Sequence, residues 1–281
     1  MKHFKFALIC LAAFFSSCNN NASTSKSNNK DSMNATADSS SIKEEKVSYS
    51  ANGTTSDSYI TYSEQVKGKR PVVLVIPEWW GLNDYARMRA KMLAQLGYLA
   101  MAVDMYGDGR MAADPKAAMN LATPFWENKS LGKERLDAAL NYVKKNERAD
   151  STRTAAIGYC FGGFVVLNSA NLGSDLDGVV SFHGGLDVVP PPKGMKTRFL
   201  ICHGASDASV PPEQVNAFKK SMDSAAANYI FKSYPDATHA FTNPASDEVG
   251  KKFNLPIRYN EEADHASWDE MKRFLQAVFK S

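Results

Sequence analysis

From about residue 45 onward, short apolar runs alternate with segments whose apolar positions recur every three or four residues. Val72-Val73-Leu74-Val75-Ile76 is an unbroken β-branched and apolar run, the pattern of a strand buried on both faces of a parallel sheet. Comparable runs at Tyr98 to Val103, Thr154 to Tyr159, Gly178 to Phe182, Arg198 to Cys202 and Asn228 to Tyr234 predict further strands. Helical spacing predicts helices over Asp84 to Leu96, Lys133 to Lys145, Gly162 to Ala170, Pro211 to Ala225 and Glu262 to Phe279. Two of them carry start signals: Asn83-Asp84 can cap the first, and Pro211-Pro212-Glu213 puts proline and an acid in a first turn. Val47 to Ser50 and Tyr59 to Tyr62 flank Asn52-Gly53 and read as an antiparallel hairpin. The alternation implies right-handed crossovers. The expected class is therefore α/β, a mostly parallel twisted sheet with the hairpin as its antiparallel N-terminal edge and helices on both faces.

The pattern before residue 45 is different. Met1-Lys2-His3-Phe4-Lys5 is basic, and Phe6 to Phe15 is an apolar run of ten residues, too short for a bilayer, which needs about 20. It ends in Phe15-Ser16-Ser17-Cys18, which resembles the lipobox of bacterial lipoproteins except that Phe15 stands where an aliphatic residue is usual. That resemblance implies diacylglyceryl attachment at Cys18 and cleavage before it; a plain secretory signal cut nearby is the other reading. Asn, Ser, Thr, Lys and Asp dominate the stretch after Cys18, and such a composition cannot bury enough surface to fold, so it serves as a tether. The expected organisation is a signal peptide over 1–17, a lipidated Cys18 with its tether over 18–45, and one folded domain over 46–281. The expected location is the bacterial cell envelope, exported and anchored by lipid on the periplasmic side or the cell surface.

At 281 residues, 44% hydrophobic and 11% aromatic, the chain can build a substantial core. Losing Lys2 and Lys5 with the leader leaves 31 basic residues against 30 acidic. No basic run is dense enough to track a phosphate backbone, so a nucleic-acid partner is not expected. Cys10 leaves with the leader and Cys18 carries lipid, which leaves Cys160 and Cys202 in the folded part. With one strand between theirs, they would lie about 10 Å apart, too far for a disulfide.

Chemistry concentrates at Ile157-Gly158-Tyr159-Cys160-Phe161-Gly162-Gly163, where a predicted strand gives way to a predicted helix. This is a nucleophile-elbow pattern with cysteine in place of the commoner serine. A strained turn of that kind leaves no room for side chains two residues to either side, and Gly158 and Gly162 hold those positions. The helix that begins after Cys160 would direct its positive end at the sulfur. Taken alone, G-x-C-x-G also fits a buried structural cysteine. In the α/β-hydrolase layout an acid and then a histidine follow the nucleophile along the chain. Arg198 to Cys202 leads through His203-Gly204-Ala205-Ser206 to Asp207 at the carboxyl edge of the sheet. The last strand leads through Pro235-Asp236-Ala237-Thr238 to His239. Of the five histidines, His3 belongs to the leader, His183 and His203 precede Asp207, and His265 lies in the last predicted helix. Only His239 is in both the required order and a suitable loop.

Across residues 45–281 the chain resembles the dienelactone hydrolase family of α/β-hydrolases. The matching pieces are Ile76-Pro77-Glu78-Trp79-Trp80-Gly81-Leu82, Asp104-Met105-Tyr106-Gly107, the Cys160 elbow, His203 to Asp207, His239-Ala240-Phe241, and Tyr259-Asn260 leading to Trp268. The resemblance implies an α/β-hydrolase fold, with Cys160 as nucleophile, His239 as base and later acid, and Asp207 orienting the imidazole. It also implies that Glu78 contacts the resting thiol and helps take its proton. The backbone N–H groups of Trp79 and Phe161 would form the oxyanion hole. The expected substrate is a small ester or lactone, the expected assembly a monomer, and no cofactor is expected.

One departure narrows this expectation. The family's founding enzymes bind a substrate carboxylate with two arginines. Arg110, displaced by Gly107-Asp108-Gly109, could fill the first place, but Thr242-Asn243-Pro244 follow His239-Ala240-Phe241 where the second would be. Without a bidentate clamp, small anionic lactones should bind weakly. Trp79, Trp80, Tyr106 and Phe161 could instead line an apolar acyl pocket, with Trp80, Tyr106 and Arg110 as the substrate contacts. A different class of reading is a non-catalytic envelope lipoprotein that binds a glycan or peptide on this scaffold. A metal hydrolase is not expected, because no H-E-x-x-H or paired-cysteine spacing exists.

Overall fold

The fold is described over residues 41–280 of a computed structural model. The signal peptide, the lipidation at Cys18 and most of the tether expected from the sequence fall outside the described residues. The chain opens with a long hairpin, β1 (Ile42–Ala51) and β2 (Thr54–Ser63), turning at Asn52-Gly53, where both residues take positive φ. Then come β3 (Arg70–Ile76), α1 (Asp84–Gln95), β4 (Leu99–Ala102), α2 (Pro115–Glu127), α3 (Lys129–Val143) and β5 (Ala149–Tyr159). The second half runs α4 (Phe161–Asn171), β6 (Gly178–Phe182), β7 (Arg198–Gly204), α5 (Pro212–Ser224), β8 (Asn228–Tyr234), α6 (Ser246–Phe253) and α7 (Glu261–Lys280). The eight strands form one sheet in the order β1-β2-β4-β3-β5-β6-β7-β8.

The expected α/β architecture is what the chain builds. β1 pairs antiparallel with β2 and β2 antiparallel with β4; every other neighbouring pair is parallel. Every residue of β3 and β6 is buried, as continuous apolar runs demand when helices cover both faces. One face packs the α3–α4 side of the core around Leu74, Ile76, Leu136 and Val166; the other packs α1 and α7 around Val73, Val75, Leu93 and Leu275. α4 is buried along its whole length, consistent with a helix apolar nearly all round. Asn83 caps α1 by accepting the Ala86 N–H at 3.3 Å, and Pro212 occupies the first turn of α5.

Three features depart from the sequence-based expectation. Strand pairing already includes residues 42–45, expected as the end of the tether, with Ile42 opposite Ser63 of β2. Side chains hold this segment in place: Tyr62 of β2 donates to Glu45 at 2.6 Å, and Glu44 reaches Arg87 of α1 at 2.6 Å. The other two are α2 and α6. α2 buries Ala118, Ala122 and Phe125 and carries Pro124 inside it, a residue that normally breaks a helix interior. α6 is eight residues long and buries only Ser246 and Gly250. Among the described residues, no helix is long and apolar enough to cross a membrane.

Candidate active site

β5 ends at Tyr159 and α4 starts at Phe161, leaving Cys160 at the turn with φ 52° and ψ −113°. A non-glycine residue in that region is strained, and the surrounding contacts must hold it there. The flanking glycines are needed for close backbone approach. A Cβ on Gly158 would lie 2.1 Å from the Gly162 carbonyl oxygen, and one on Gly162 would lie 2.2 Å from the Ile76 oxygen. Gly162 therefore lets the elbow press against the end of β3, whose next residues are Pro77, Glu78 and Trp79.

The parallel strands bring three distant side chains to one edge. Cys160 Sγ is 3.0 Å from His239 Nε2, and His239 Nδ1 is 2.8 Å from Asp207 Oδ2. Asp207 follows β7, is buried, and also accepts the Ser209 N–H at 2.8 Å. Burial alone would raise its carboxyl, but the hydrogen bond and charge of His239 outweigh this and hold it below the ordinary value. For His239, burial opposes the charged ring. The charge of Cys160 and the Asp207 hydrogen bond overcome that opposition, so His239 titrates well above an ordinary histidine. Cys160 and Cys202 are both free. Cys202 is buried and its thiol is pushed up to about 12, chiefly by that burial.

Glu78 lies in the same cavity, but its expected contact with the resting thiol is not the one found. The sulfur faces His239, while Glu78 Oε2 accepts from Asn243 Nδ2 at 2.7 Å. The Ala245 N–H binds the other end of the Asn243 amide at 3.0 Å and so aims its nitrogen at Glu78. Burial raises the Glu78 carboxyl, with Asn243, His239 and Arg89 pulling it partly back. The Trp79 and Phe161 N–H groups have no protein acceptor among the described residues, and Phe161 opens α4, so both amides are free to meet an oxyanion.

The cavity holds about 330 Å³. Trp79 and Trp80 form one wall, Met119 and Trp126 of α2 another, Phe161 and Phe164 of α4 the floor, and Val210 with Leu255 to Ile257 the far side. Among the described residues, no lysine or arginine lines it. Two expected substrate contacts are elsewhere. Tyr106 is buried behind the wall, packed on Phe125 and Phe161, and donates its hydroxyl to the Trp79 carbonyl at 2.9 Å. It braces the loop that bears the Trp79 amide. Asp104 places that tyrosine by accepting from the amides of Tyr106, Gly107 and Gly109. Arg110 is exposed and turns its guanidinium back onto the carbonyls of Tyr106 and Gly107, so it does not reach the cavity. Met119 and Trp126 escape sequence reasoning because their helix does, and Asn243 escapes it because only the fold sets that amide against Glu78. Among the described residues, no three His, Cys, Asp or Glu side chains cluster in a way that could hold a metal.

Comparison with known proteins places the chain's family and fold. The model of the dienelactone hydrolase family matches residues 57–279. A solved structure of a dienelactone hydrolase-like promiscuous phosphotriesterase from metagenomic libraries is 31% identical, with a TM-score of 0.79 over 85% of this chain and 99% of that one. A protein of Escherichia coli K12 named "Putative carboxymethylenebutenolidase" is 28% identical over 69% of this chain and 76% of its own length. A thermophilic esterase from the Planctomycetes species Thermogutta terrifontis shares the fold, at 16% identity and a TM-score of 0.59 over 83% of this chain and 94% of that one. With the family's pattern spanning nearly the whole described fold, the chain belongs to the dienelactone hydrolase family and is a hydrolase of that kind.

Proposed function

We propose that the protein cleaves carboxylic esters or lactones of uncharged, apolar substrates through Cys160, His239 and Asp207. The observation that carries this reading is the continuous line from Asp207 Oδ2 to His239 Nδ1 and from His239 Nε2 to Cys160 Sγ, at 2.8 and 3.0 Å. Those contacts match the geometry a base needs to take a proton from a nucleophile while a carboxylate fixes its tautomer.

The sulfur attacks the acyl carbon as its proton resides on His239 Nε2, and the carbonyl oxygen becomes an oxyanion facing the Trp79 and Phe161 amides. Collapse breaks the acyl C–O bond. His239 gives its proton to the departing alkoxide, leaving a thioester on Cys160. Water, losing a proton to His239, attacks the thioester and releases the acid; the proton returns to the sulfur. In a lactone the leaving alkoxide stays tethered to the acyl group until this second step. Glu78, buried in the same cavity, is placed to assist passage of the thiol proton to His239 once substrate displaces its resting arrangement with Asn243.

The substrate class follows from the cavity walls. Among the described residues no lysine or arginine lines the apolar cavity of about 330 Å³, and the His239 ring is already engaged by Asp207 and Cys160, so an entering carboxylate would lose its hydration without a free cationic partner. A neutral acyl or aryl group would gain about 25 cal/mol per Å² buried. The reading is tested with a panel of esters and lactones varied in acyl size and charge, against the native chain, Cys160→Ala and Glu78→Gln. Neutral aryl and medium-chain esters should turn over fastest and carboxylate-bearing lactones slowest. Equal rates for native and Cys160→Ala would sink the reading and favour a binding protein on this scaffold. At the chain's start, Cys18 is the proposed site of a lipid anchor at a bacterial envelope. Membrane partition of the native chain but not of Cys18→Ser, with an acylated N-terminal peptide by mass spectrometry, is the expected result.

A further inference from the structure

We infer that His183, which takes no part in the proposed chemical steps, is a positioning residue that holds the nucleophile elbow through the backbone amide of Cys160. The inference rests on the reading of Cys160 as nucleophile. The Cys160 N–H points at two acceptors, the Phe182 carbonyl at 3.0 Å and His183 Nδ1 at 3.1 Å. A backbone N–H can only donate, so Nδ1 accepts and the ring proton sits on Nε2. Nε2 then donates to the Thr242 hydroxyl at 2.8 Å.

Thr242 is itself fixed. Its hydroxyl shares a 2.7 Å hydrogen bond with Tyr85, and its carbonyl accepts from Arg89 at 2.6 Å. Arg89 is buried and ion-paired with Asp264 on α7. The imidazole is 1% exposed and stands on a strained backbone at φ 42°, tied by its own N–H to the Cys202 carbonyl on β7. Its ring also packs edge-to-face on His239, with centroids 5.3 Å apart. One neutral ring thus touches the nucleophile's backbone on one side and the base's ring on the other. Burial, with the nearby charges of His239 and Arg89, keeps it well below the ordinary histidine range, which preserves Nδ1 as an acceptor.

The arrangement has two consequences. The strained Cys160 backbone needs neighbours that over-determine it, and a misplacement of about 1 Å at a reacting group can cost about 100-fold in rate. With its own amide engaged by His183 and Phe182, Cys160 leaves the oxyanion to Trp79 and Phe161.

The test compares His183→Asn with His183→Gln. Asparagine can place its oxygen where Nδ1 stood and accept from Cys160. Glutamine reaches instead to the Nε2 position and satisfies only Thr242. The readouts are kcat and KM for 4-nitrophenyl butyrate, and the rate of Cys160 alkylation by iodoacetamide, followed on its peptide by mass spectrometry. His183→Gln should lose about 10–100-fold in kcat at little changed KM and alkylate more slowly; His183→Asn should stay within about threefold of native on both. An asparagine variant as impaired as the glutamine one, or a glutamine variant at native rates, overturns the inference. Should neither fold, Thr242→Val decides it: a lower kcat at native KM supports the role of His183, and a native kcat removes it. Alkylation needs no ester, so a native chain without esterase activity would refute the hydrolytic reading and still leave the His183 role measurable.

Discussion

His183 and His239 sit 5.3 Å apart at the same edge of the sheet, yet they titrate in opposite directions. Both rings are largely shielded from water, so burial disfavours charge in each. His239, on the loop after β8, lies between a carboxylate and a sulfur that can carry negative charge. Those partners overcome the desolvation. His183, on the loop after β6, lies between an amide N–H and a hydroxyl, neither of which offers a negative charge. There burial decides, and the neighbouring cations add to it. The charge of the partners, more than residue type or depth, decides whether a buried imidazole is held charged or neutral.

The strongest way to break this contrast is to remove the sulfur. Cys160→Ala should lower ester turnover by about 10⁴-fold or more. It should also bring the His239 titration down, because the largest influence raising it is gone. Imidazole NMR titration reads that shift directly, and an unmoved His239 would mean that the sulfur has no electrostatic hold on the ring. Asp207→Asn removes the other anion and permits the wrong tautomer. Its expected loss is about 10²–10⁴-fold in kcat, with little change in KM. A loss below tenfold would show that the carboxylate does not orient the base.

A smaller effect tests the cavity against the triad. Trp126→Ala takes away part of the wall that α2 contributes. KM for an aryl or medium-chain ester should rise about tenfold, kcat should hold, and an acetyl ester should be nearly indifferent. If kcat fell instead for every ester, α2 would be supporting the elbow rather than shaping the pocket.

These elements differ in how legible they are in the sequence. β6 and β8 run over the residues predicted for them, and Cys160, Asp207 and His239 meet as their order along the chain required. Buried parallel strands write continuous apolar runs, and an elbow writes its glycines, so both signals are local. The other half of the site is not local. His183 meets Cys160 across 23 residues and Thr242 across 59, and Glu78 meets Asn243 across 165. No spacing rule links such partners. Analogy offers Arg110 to the substrate and aromatic character offers Tyr106, but the loop stapled by Asp104 turns one outward and packs the other behind the wall. α2 is hidden because Pro124 inside it reads as a helix breaker.

Glu78 gives the finest test, because its environment resembles that of His183 while its proposed role resembles that of His239. Burial raises its carboxyl above 4.5, and Asn243 supplies a neutral donor in place of a cation. Between pH 4.5 and the raised folded value, the native state keeps a proton that the unfolded chain has released. Stability contributed at this site is therefore greatest at low pH, declines as pH rises through that window and stays lower above it. Glu78→Gln has no such proton to lose. The variant should match native thermal stability near pH 4 and exceed it at pH 8, by about 2–4 °C for each kcal/mol relieved in a chain of this size. If the carboxylate also serves the thiol, the same variant should be about tenfold slower, and stability and rate would move in opposite directions. A Gln variant that is fully active and no more stable at pH 8 would reduce Glu78 to a polar patch in the wall, held by Asn243 and idle in the chemistry.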